Sequence, residues 1–280
     1  MNRVASSFNQ TKPTANSRIP ALFVAWQNPE TRRFTPVARL AQIVGDDCRD
    51  CFEFVYIEAA HEAMEQGFLP FLAFPELHGL YRARQLFPMF ANRILPTSRP
   101  DFADYLEQLG LPPATSSPVL ILSRSGGRRA TDTLELFPLP TLEPGIGYQT
   151  WFWSHALRHL GPESHERIAR LTLNERLYVM CDVQNPVDPM ALALRTEDRT
   201  VVGYMPAYLL DDTHELLQSC ITCEVYVERI NPSTAPIQQR LLCRLQSCWP
   251  SQFVPYSTPR YQPLAQGAAT VASPFELSLP

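Results

Sequence analysis

The sequence predicts an α+β protein with two β-rich domains, the second of which is built around one main helix. Its 280 residues are enough for two modest cores. Hydrophobic residues make up 45% of the chain and include 15 Phe and 10 Tyr, a composition typical of a folded protein. The 27 Pro and 11 Gly favour many short elements that are joined by stiff, extended connections.

Charge and apolar patterning limit the classes of partner. The net charge of −4 provides no overall basic field for nucleic acid, so any such site has to be local. The first 18 residues are polar and lack the apolar core of a signal peptide, and no apolar run is long enough to span a bilayer. We therefore expect a cytoplasmic protein with no membrane partner and with its seven cysteines reduced.

The first half begins with a polar stretch, residues 1–18, that has the composition of a disordered tail. Residues 19–140 then form the first predicted module, in which short apolar runs alternate with polar turns. Three strands are predicted, with the sequences IPALFVAWQ, RFTPVARLAQI and CFEFVYI. A short helix follows in EAAHEAMEQ, and Gly67 is placed to end it.

A second helix is predicted in SRPDFADYLEQLGL, where Ser98 is positioned to cap the N-terminus and Gly110 to end it. Its apolar residues share one face: Phe102, Tyr105, Leu106 and Leu109. Farther on, VLILSRSGGRRATDTLELFPLP is predicted as two strands around a Gly-Gly turn. The segment TLEPGI after it is the predicted domain boundary.

Residues 145–250 form the second predicted domain. Its strands have the sequences GYQTWFWSHALRHL, ERLYVMCD, MALALRT, TVVGY, CEVYVERI and QRLLCRLQS. One helix, PAYLLDDTHELLQSC, is predicted to turn four leucines inward: Leu209, Leu210, Leu216 and Leu217. Residues 251–280 are predicted to be an extended or disordered tail.

The most patterned stretch is DVQNPVDPMALALRTEDRTVVGYMP, which runs from Asp182 to Pro206. It predicts two paired strands preceded by a polar turn that contains Asn185 and Asp188. Two interpretations of the turn remain open. The two side chains cap backbone N–H groups, or Asp188 accepts a hydrogen bond from a sugar hydroxyl or a base edge.

This stretch resembles the HIRAN domain, through N-P-x-D-x-x-A-L, a short charged turn and V-G-Y-x-P. The resemblance covers about residues 147–250 and includes SHALRHL, where the family has a strand ending in Gly-Leu-Arg-Tyr-Tyr. It implies a modified OB-like β-barrel, which in the studied members of the family captures the 3′ end of single-stranded DNA.

The same resemblance implies roles for five residues. Arg158 takes the position of a phosphate contact, and Asp188 that of the carboxylate that meets the terminal 3′-hydroxyl. His159 and Tyr204 stand where DNA-binding members place a Tyr and a His, and Asn185 belongs to the same turn as Asp188. The residue types suit this task, because Arg neutralises phosphate, Asp accepts from a hydroxyl and rings stack on bases.

Two positions depart from the end-binding members of the family. Leu160 stands where they have the second Tyr of the Tyr-Tyr pair, and Val187 stands where they have the Tyr of N-P-Y-D. The loss of two stacking rings favours the alternative that the barrel no longer binds DNA.

The first half resembles the small N-terminal subdomain of HipA kinases over about residues 20–140. Four residues keep that family's central pattern: Phe90, Asn92, Leu95 and Pro96. In split systems this subdomain is a separate protein that binds the kinase and restrains it. The resemblance implies a module that docks a HipA-type kinase or another protein partner, since the chain has no kinase catalytic segment of its own.

Two further groups could bind small ligands. Arg124, Arg128 and Arg129 flank the Gly-Gly turn and are candidate phosphate contacts, although a solvated hairpin turn would have the same composition. The C-x-x-C pairs Cys48–Cys51 and Cys220–Cys223 could hold zinc, but their distance in the sequence favours buried thiols.

A group of histidines and glutamates lies in SHALRHLGPESHE: His155, His159, His165, Glu163 and Glu166. Its spacing does not match the helical H-E-x-x-H pattern of zinc enzymes. We therefore expect neither a metal nor a cofactor.

Together these patterns predict a non-catalytic nucleic-acid-binding protein whose barrel binds single-stranded DNA, in particular its 3′ ends, and whose front module docks a protein. The expected setting is a bacterial regulatory, toxin–antitoxin or defence system. Two alternatives stay open. One is an interaction scaffold or kinase-restraining antitoxin subunit that no longer binds DNA, and the other is a metal-dependent nuclease.

Overall fold

A computed structural model describes residues 21–44, 50–115, 117–129, 132–143, 145 and 147–269. In these residues the fold is β-rich and α+β, with two antiparallel sheets and short helices, which confirms the predicted class at that level. The predicted tail 1–18 and Cys48 lie outside the described residues. The helices in this part of the chain all lack the length and apolar character that crossing a membrane requires.

The first sheet is an antiparallel sheet of five strands in the order β4-β3-β2-β1-β5. Strands β1 to β5 are Ala21–Gln27, Phe34–Val44, Asp50–Tyr56, Tyr81–Ala83 and Leu134–Pro138. Side chains alternate across a strand, so Leu22 and Val24 face one side while Phe23 and Ala25 face the other. All four are buried, because the sheet lies between two packed layers.

One face of this sheet is covered by helices and an aromatic loop. Helices α1 to α4 are Ala59–Glu65, Pro88–Ala91, Phe102–Gln108 and Pro118–Ser125. Helices α1, α2 and α4 pack on this face, whereas α3 packs on α4 and on strands of the second sheet. The loop contributes Phe74, whose ring stacks on Phe54 with centroids 3.8 Å apart and whose carbonyl accepts the Tyr56 hydroxyl at 2.8 Å. The aromatic run between the helices is therefore loop and core together.

Helix α4 corrects the prediction of a strand at VLIL. Ser117 accepts a hydrogen bond from the Leu120 N–H, Pro118 occupies the first turn, and Gly126 ends the helix with a left-handed φ of 67°. These are ordinary helix-boundary signals. The strand prediction failed because residues 119–125 are all buried, and an element that is buried on every side does not show the apolar period of a helix.

Helix α3 begins at Phe102, so the predicted Ser98 cap is wrong: the residue at the N-cap position is Asp101, and its side chain makes no capping bond. The predicted apolar face is confirmed, since Leu106 and Leu109 are buried with Phe102 and Tyr105 packed beside them. Helix α1 likewise ends as predicted before a glycine in a left-handed conformation.

The second sheet has the strand order β10-β9-β8-β11-β12-β7-β6. Strands β6 to β12 are Thr141–Glu143, Gly147–Trp153, Arg176–Cys181, Leu192–Arg195, Val201–Tyr204, Cys223–Ile230 and Leu241–Ser247. Just beyond β7, His155 pairs with Tyr204 at the end of β10. Because β10 and β7 lie toward opposite sides of the sheet, this pairing curls the sheet into a partly closed barrel. Its OB-like identity stays a prediction.

Two helices accompany this sheet. Helix α5, Pro162–Ala169, was not predicted, and α6, Leu210–Ser219, was predicted with its inward leucines. Leu209, Leu210 and Leu216 are buried, but Leu217 is 39% exposed, so its inward orientation was wrong. Leu217 points about 100° around the helix from Leu216, and this turns its side chain away from the core.

The prediction that all cysteines are reduced is also wrong, because Cys220 and Cys248 form a disulfide. Cys220 follows α6 and Cys248 follows β12, and the fold brings their Cα atoms to 5.9 Å. This bond takes Cys220 out of the predicted Cys220–Cys223 pair. In the sequence the two partners are 28 residues apart and match no motif.

The predicted extended tail is wrong for residues 251–269, because Phe253, Tyr256 and Tyr261 are buried. These residues share a core with the inner face of the first sheet and the barrel interior. Farther along, Pro263 pairs with Ile57. The two halves thus share a core, while the bounds predicted for the two modules stay a prediction.

Candidate nucleic-acid interface

The turn before β9 is held by its own side chains. Asn185 Oδ1 accepts the N–H groups of Val187 at 3.0 Å and of Asp188 at 3.2 Å. Asp188 Oδ1 accepts the Met190 N–H at 2.9 Å. The first interpretation of this turn, an Asx-type cap, is therefore confirmed.

The second interpretation is compatible with the first, because Asp188 has two carboxylate oxygens. Oδ1 belongs to the turn, whereas Oδ2 makes no hydrogen bond within the described part of the chain. The residue is partly exposed. A half-used carboxylate in a rigid turn can accept one hydrogen bond from a ligand without any change of conformation.

Asp182 joins the predicted residues, although sequence reasoning missed it. Its Oδ2 accepts the Tyr204 hydroxyl at 3.0 Å and the Asn185 side-chain amide at 3.1 Å. Burial and the Asp182 carboxylate both raise the pKa of Tyr204. The hydroxyl of Tyr204 is thus occupied, and its ring is the part that is available to a ligand.

Gly203 is what allows β10 to approach the end of β7. Its φ is 136°, and an added Cβ would lie 1.8 Å from Ser154 Oγ. With no side chain there, His155 N donates to the Tyr204 carbonyl at 2.9 Å, and Tyr204 N donates to the His155 carbonyl at 3.1 Å. The V-G-Y pattern is therefore a requirement of close backbone packing.

Arg158 and His159 follow this pairing in a short 3₁₀ turn, Leu157–His159, and both are exposed. Within the described residues, the Arg158 guanidinium makes no hydrogen bond or ion pair, so its charge is free for an anion. Its place three residues after His155 puts it next to the strand pair that carries Tyr204.

Arg33 reaches the same turn from the first half of the chain. It lies between β1 and β2, and its Nη2 donates to the Val187 carbonyl. Sequence reasoning could not find it, because 154 positions separate the two residues. Arg33 adds an exposed positive charge beside Asp188.

The site has little net charge, since Arg33 and Arg158 balance Asp182 and Asp188. Apolar side chains surround the turn, with Val183 74%, Val187 57% and Met190 52% exposed. Recognition at this place would therefore depend on specific contacts and on apolar contact with bases more than on a long-range field.

The three arginines at the Gly-Gly turn do not form one surface patch, contrary to the prediction. Arg124 is 3% exposed, and its guanidinium lies 3.9 Å from the Trp151 ring centroid. Arg128 pairs with Glu135, which leaves Arg129 as the exposed member. Arg124 is buried because α4 turns it into the protein, and Arg128 is taken up by Glu135 on β5.

The Glu135 carboxylate is an internal anchor for that region. Burial alone would raise its pKa, but Arg128 and His155 lower the pKa to about 2. His155 Nε2 lies 3.6 Å from Glu135 Oε1. This histidine therefore faces Glu135 and does not join His159 and His165 in a metal cluster. No three His, Cys, Asp or Glu side chains in the described ranges are grouped to hold a metal ion.

Comparison with known proteins adds little to this geometry. No model of a known protein family matches the chain, and no curated protein matches it. A solved structure of the HIRAN domain of human HLTF is similar at 15% identity, with 38% of this chain and 81% of that chain covered and a TM-score of 0.27. At this TM-score the function has to be argued from the site itself.

Proposed function

We propose that the protein binds single-stranded nucleic acid without catalysis and holds the 3′ end of a DNA strand at the turn of Asn185 and Asp188. The observation that carries this proposal is the divided role of Asp188. One carboxylate oxygen fixes the turn at 2.9 Å from the Met190 N–H, and the other makes no hydrogen bond with the described residues.

The terminal 3′-hydroxyl would donate to Asp188 Oδ2, a hydrogen bond to a charged group that contributes about 1.5–3 kcal/mol. Arg158, whose guanidinium has no partner among the described residues, would take the last phosphate, and Arg33 contacts the turn at the Val187 carbonyl. His159 and the Tyr204 ring would stack on bases, and Val187 would add apolar contact in place of a ring.

The front module supplies a second candidate function, protein docking. Its aromatic loop exposes two leucines, Leu69 at 77% and Leu72 at 101%. Exposed apolar side chains that lie close together are a feature of protein-contact surfaces. A HipA-type kinase, in a bacterial regulatory or defence system, is the partner that the sequence resemblance supports.

Asp188→Asn is the sharpest test of the end-binding function. The amide keeps the Oδ1 acceptor that the turn needs, but it replaces the Oδ2 acceptor by a donor. We expect the variant to bind a short DNA with a 3′-hydroxyl at least ten-fold more weakly than wild type does, and to bind a 3′-phosphate no more weakly. Fluorescence anisotropy with both oligonucleotides, at low and at moderate salt, measures this.

Asp104→Asn is the matched control, since it removes the same charge from an exposed position on α3. If Asp188→Asn lost the same affinity for the 3′-hydroxyl and the 3′-phosphate oligonucleotides, Asp188 would affect DNA binding only through its charge or through folding. Cleavage of the same oligonucleotides after Mg²⁺ or Mn²⁺ is added would instead support the nuclease alternative.

A further inference from the structure

The outer face of the second sheet carries a row of arginines that alternate with aromatic rings. Residues that are directly opposite in neighbouring strands share a face of the sheet. Tyr178 on β8 lies opposite Arg195 on β9, and Arg176, two residues earlier on β8, lies opposite Tyr226 on β11.

The row continues into the next two strands, where Tyr226 lies opposite Arg244 on β12 and Arg244 lies opposite Trp151 on β7. We call this set the arginine–aromatic ladder: Arg195, Tyr178, Arg176, Tyr226, Arg244 and Trp151. It crosses five strands, and no sequence motif marks it, because its members come from five separate segments.

The guanidinium groups of the ladder lie over the rings. Those of Arg176 and Arg195 lie 5.1 Å and 5.2 Å from the centroid of Tyr178, and that of Arg244 lies 5.7 Å from the centroid of Tyr226. Such stacking holds an arginine in place and leaves its N–H edge available for an anion.

The ladder carries more positive charges than there are carboxylates paired with them. Glu224 pairs with Arg176 at 3.1 Å and Glu228 with Arg244 at 3.3 Å, but no carboxylate pairs with Arg195 among the described residues. Among those residues, the hydrogen bond of the Arg195 guanidinium is from Nη1 to the neighbouring Thr196 carbonyl.

At the far end of the ladder, buried N–H groups have no acceptor in the described part of the chain. These atoms are Arg244 Nε, Trp151 Nε1 and both Nη atoms of Arg124, a side chain that is 3% exposed and stacked on Trp151. A buried donor without a partner is costly. These buried atoms do not reach a ligand themselves, and the guanidinium groups that a ligand can reach are those of Arg176 and Arg195.

The ladder lies on the same face of β8 as the candidate end-binding site. Alternate residues of a strand share a face, so Tyr178 and Met180 lead directly to Asp182, which holds Tyr204 and Asn185. Four residues of strand separate Tyr178 from Asp182, which corresponds to roughly 13 Å, or the length of a few nucleotides.

We propose that the arginine–aromatic ladder binds the sugar–phosphate backbone of a single strand whose 3′ end lies at Asp188. The direction of the strand rests on the proposed function, whereas the ladder's affinity for phosphodiesters rests on its own charges. Arg195 and Arg176, whose side chains are reachable from solvent, would contact phosphates nearest the end.

The test combines oligonucleotide length with salt. Wild type is compared with the double variant Arg176→Gln/Arg195→Gln, using 3′-hydroxyl oligo-dT of four and twelve nucleotides. We expect wild type to bind the longer strand at least ten-fold more tightly, and the double variant to lose that advantage. The slope of log affinity against log salt should fall by about 1.4, since each lost phosphate contact on a single strand accounts for about 0.7.

The matched control is Arg99→Gln/Arg260→Gln, which removes two arginines that are 54% and 39% exposed and lie outside the ladder. It should leave the length effect and the salt slope unchanged. If the ladder variant still binds the twelve-nucleotide strand more tightly than the four-nucleotide strand by the wild-type factor, the ladder proposal is overturned. This holds even if binding of the short strand still requires Asp188.

Failure of the two proposals gives different results. A long strand whose binding needs the ladder but not Asp188 or a 3′-hydroxyl supports the ladder and overturns end binding. Equal loss in the ladder variant and its control means that only overall charge matters, which overturns the ladder. Absence of binding to any oligonucleotide overturns both.

Discussion

Gly203 decides at the scale of one residue whether the barrel can close. The added Cβ of any other residue would lie 1.8 Å from Ser154 Oγ and 3.0 Å from the His155 carbonyl oxygen. Its φ of 136° is also one that side chains rarely tolerate. The pairing of His155 with Tyr204, and with it the position of the Tyr204 ring, depends on this glycine.

Gly203→Ala should therefore destabilise the protein by at least about 3 kcal/mol, because it combines backbone strain with overpacking. Urea unfolding followed by circular dichroism measures this. Gly161→Ala is the control, since its Cβ would meet nothing within 4 Å and its φ is −72°. Similar stability losses in the two variants would show that the close approach at Gly203 does not exist.

At the scale of elements, α6 holds the C-terminal segment through one buried carboxylate. Asp212, in the first turn of α6, is 5% exposed, and its Oδ1 accepts the Tyr256 N–H at 3.2 Å. Its Oδ2 has no hydrogen-bond partner in the described residues, and neither do the hydroxyls of Tyr148 and Tyr256. Burial raises the pKa of Asp212 to about 7.

This pKa has a definite consequence for stability. The pKa of an Asp in an unfolded chain is about 3.9, so Asp212 keeps its proton to a higher pH in the folded state than in the unfolded state. The stability that the protonated group contributes is fully present below about pH 3.9. It is lost as the pH rises from there through about 7, by up to roughly 4 kcal/mol in total. Asp212→Asn should remove the loss, because an amide does not ionise.

We therefore expect Asp212→Asn to be more stable than wild type at pH 8, and the gain to shrink toward pH 4. Unfolding in urea at both pH values measures the difference. Asp211→Asn, an exposed neighbour with the same change of charge, should show no such gain. A constant difference between Asp212→Asn and wild type at both pH values would contradict the buried, protonated carboxyl.

At the scale of the whole molecule, the two sheets depend on one another. The ring of Phe137 on β5 stacks on Tyr208 from the second half with centroids 4.0 Å apart, and Phe23 contacts both Tyr256 and Tyr261. A second contact joins α3 and α4 to barrel strands, through Leu106 and Leu242 among others. Neither half has a complete core without the other.

The protein should accordingly unfold in a single cooperative transition. Phe137→Ala removes the stacked ring at the junction and should destabilise both halves by about 3–5 kcal/mol. Calorimetry would show one peak that moves to lower temperature as a whole. Leu72→Ala, at a fully exposed position, should not move it, and two peaks of which one stays in place would disprove the shared core.

Local periodicity was enough to predict a good part of this molecule from the sequence alone. The strands β1 to β3 and β8 to β12, helix α1 and the apolar face of α3 each depend on residues a few positions apart. The same holds for the turn at Asn185 and Asp188, whose capping bonds span two or three residues. Within these segments the preferences of the chain and the final fold agree.

Tertiary structure decided what joins distant segments. The burial of α4 on all sides hid its period, and packing of the C-terminal segment gave buried partners to aromatic residues in a stretch that reads as a tail. The disulfide, the Arg33 contact with the candidate site and the arginine–aromatic ladder arise from strand register and the approach of loops. Such contacts are set by the shape of the whole fold, and a pattern along the chain carries no record of which distant residues will meet.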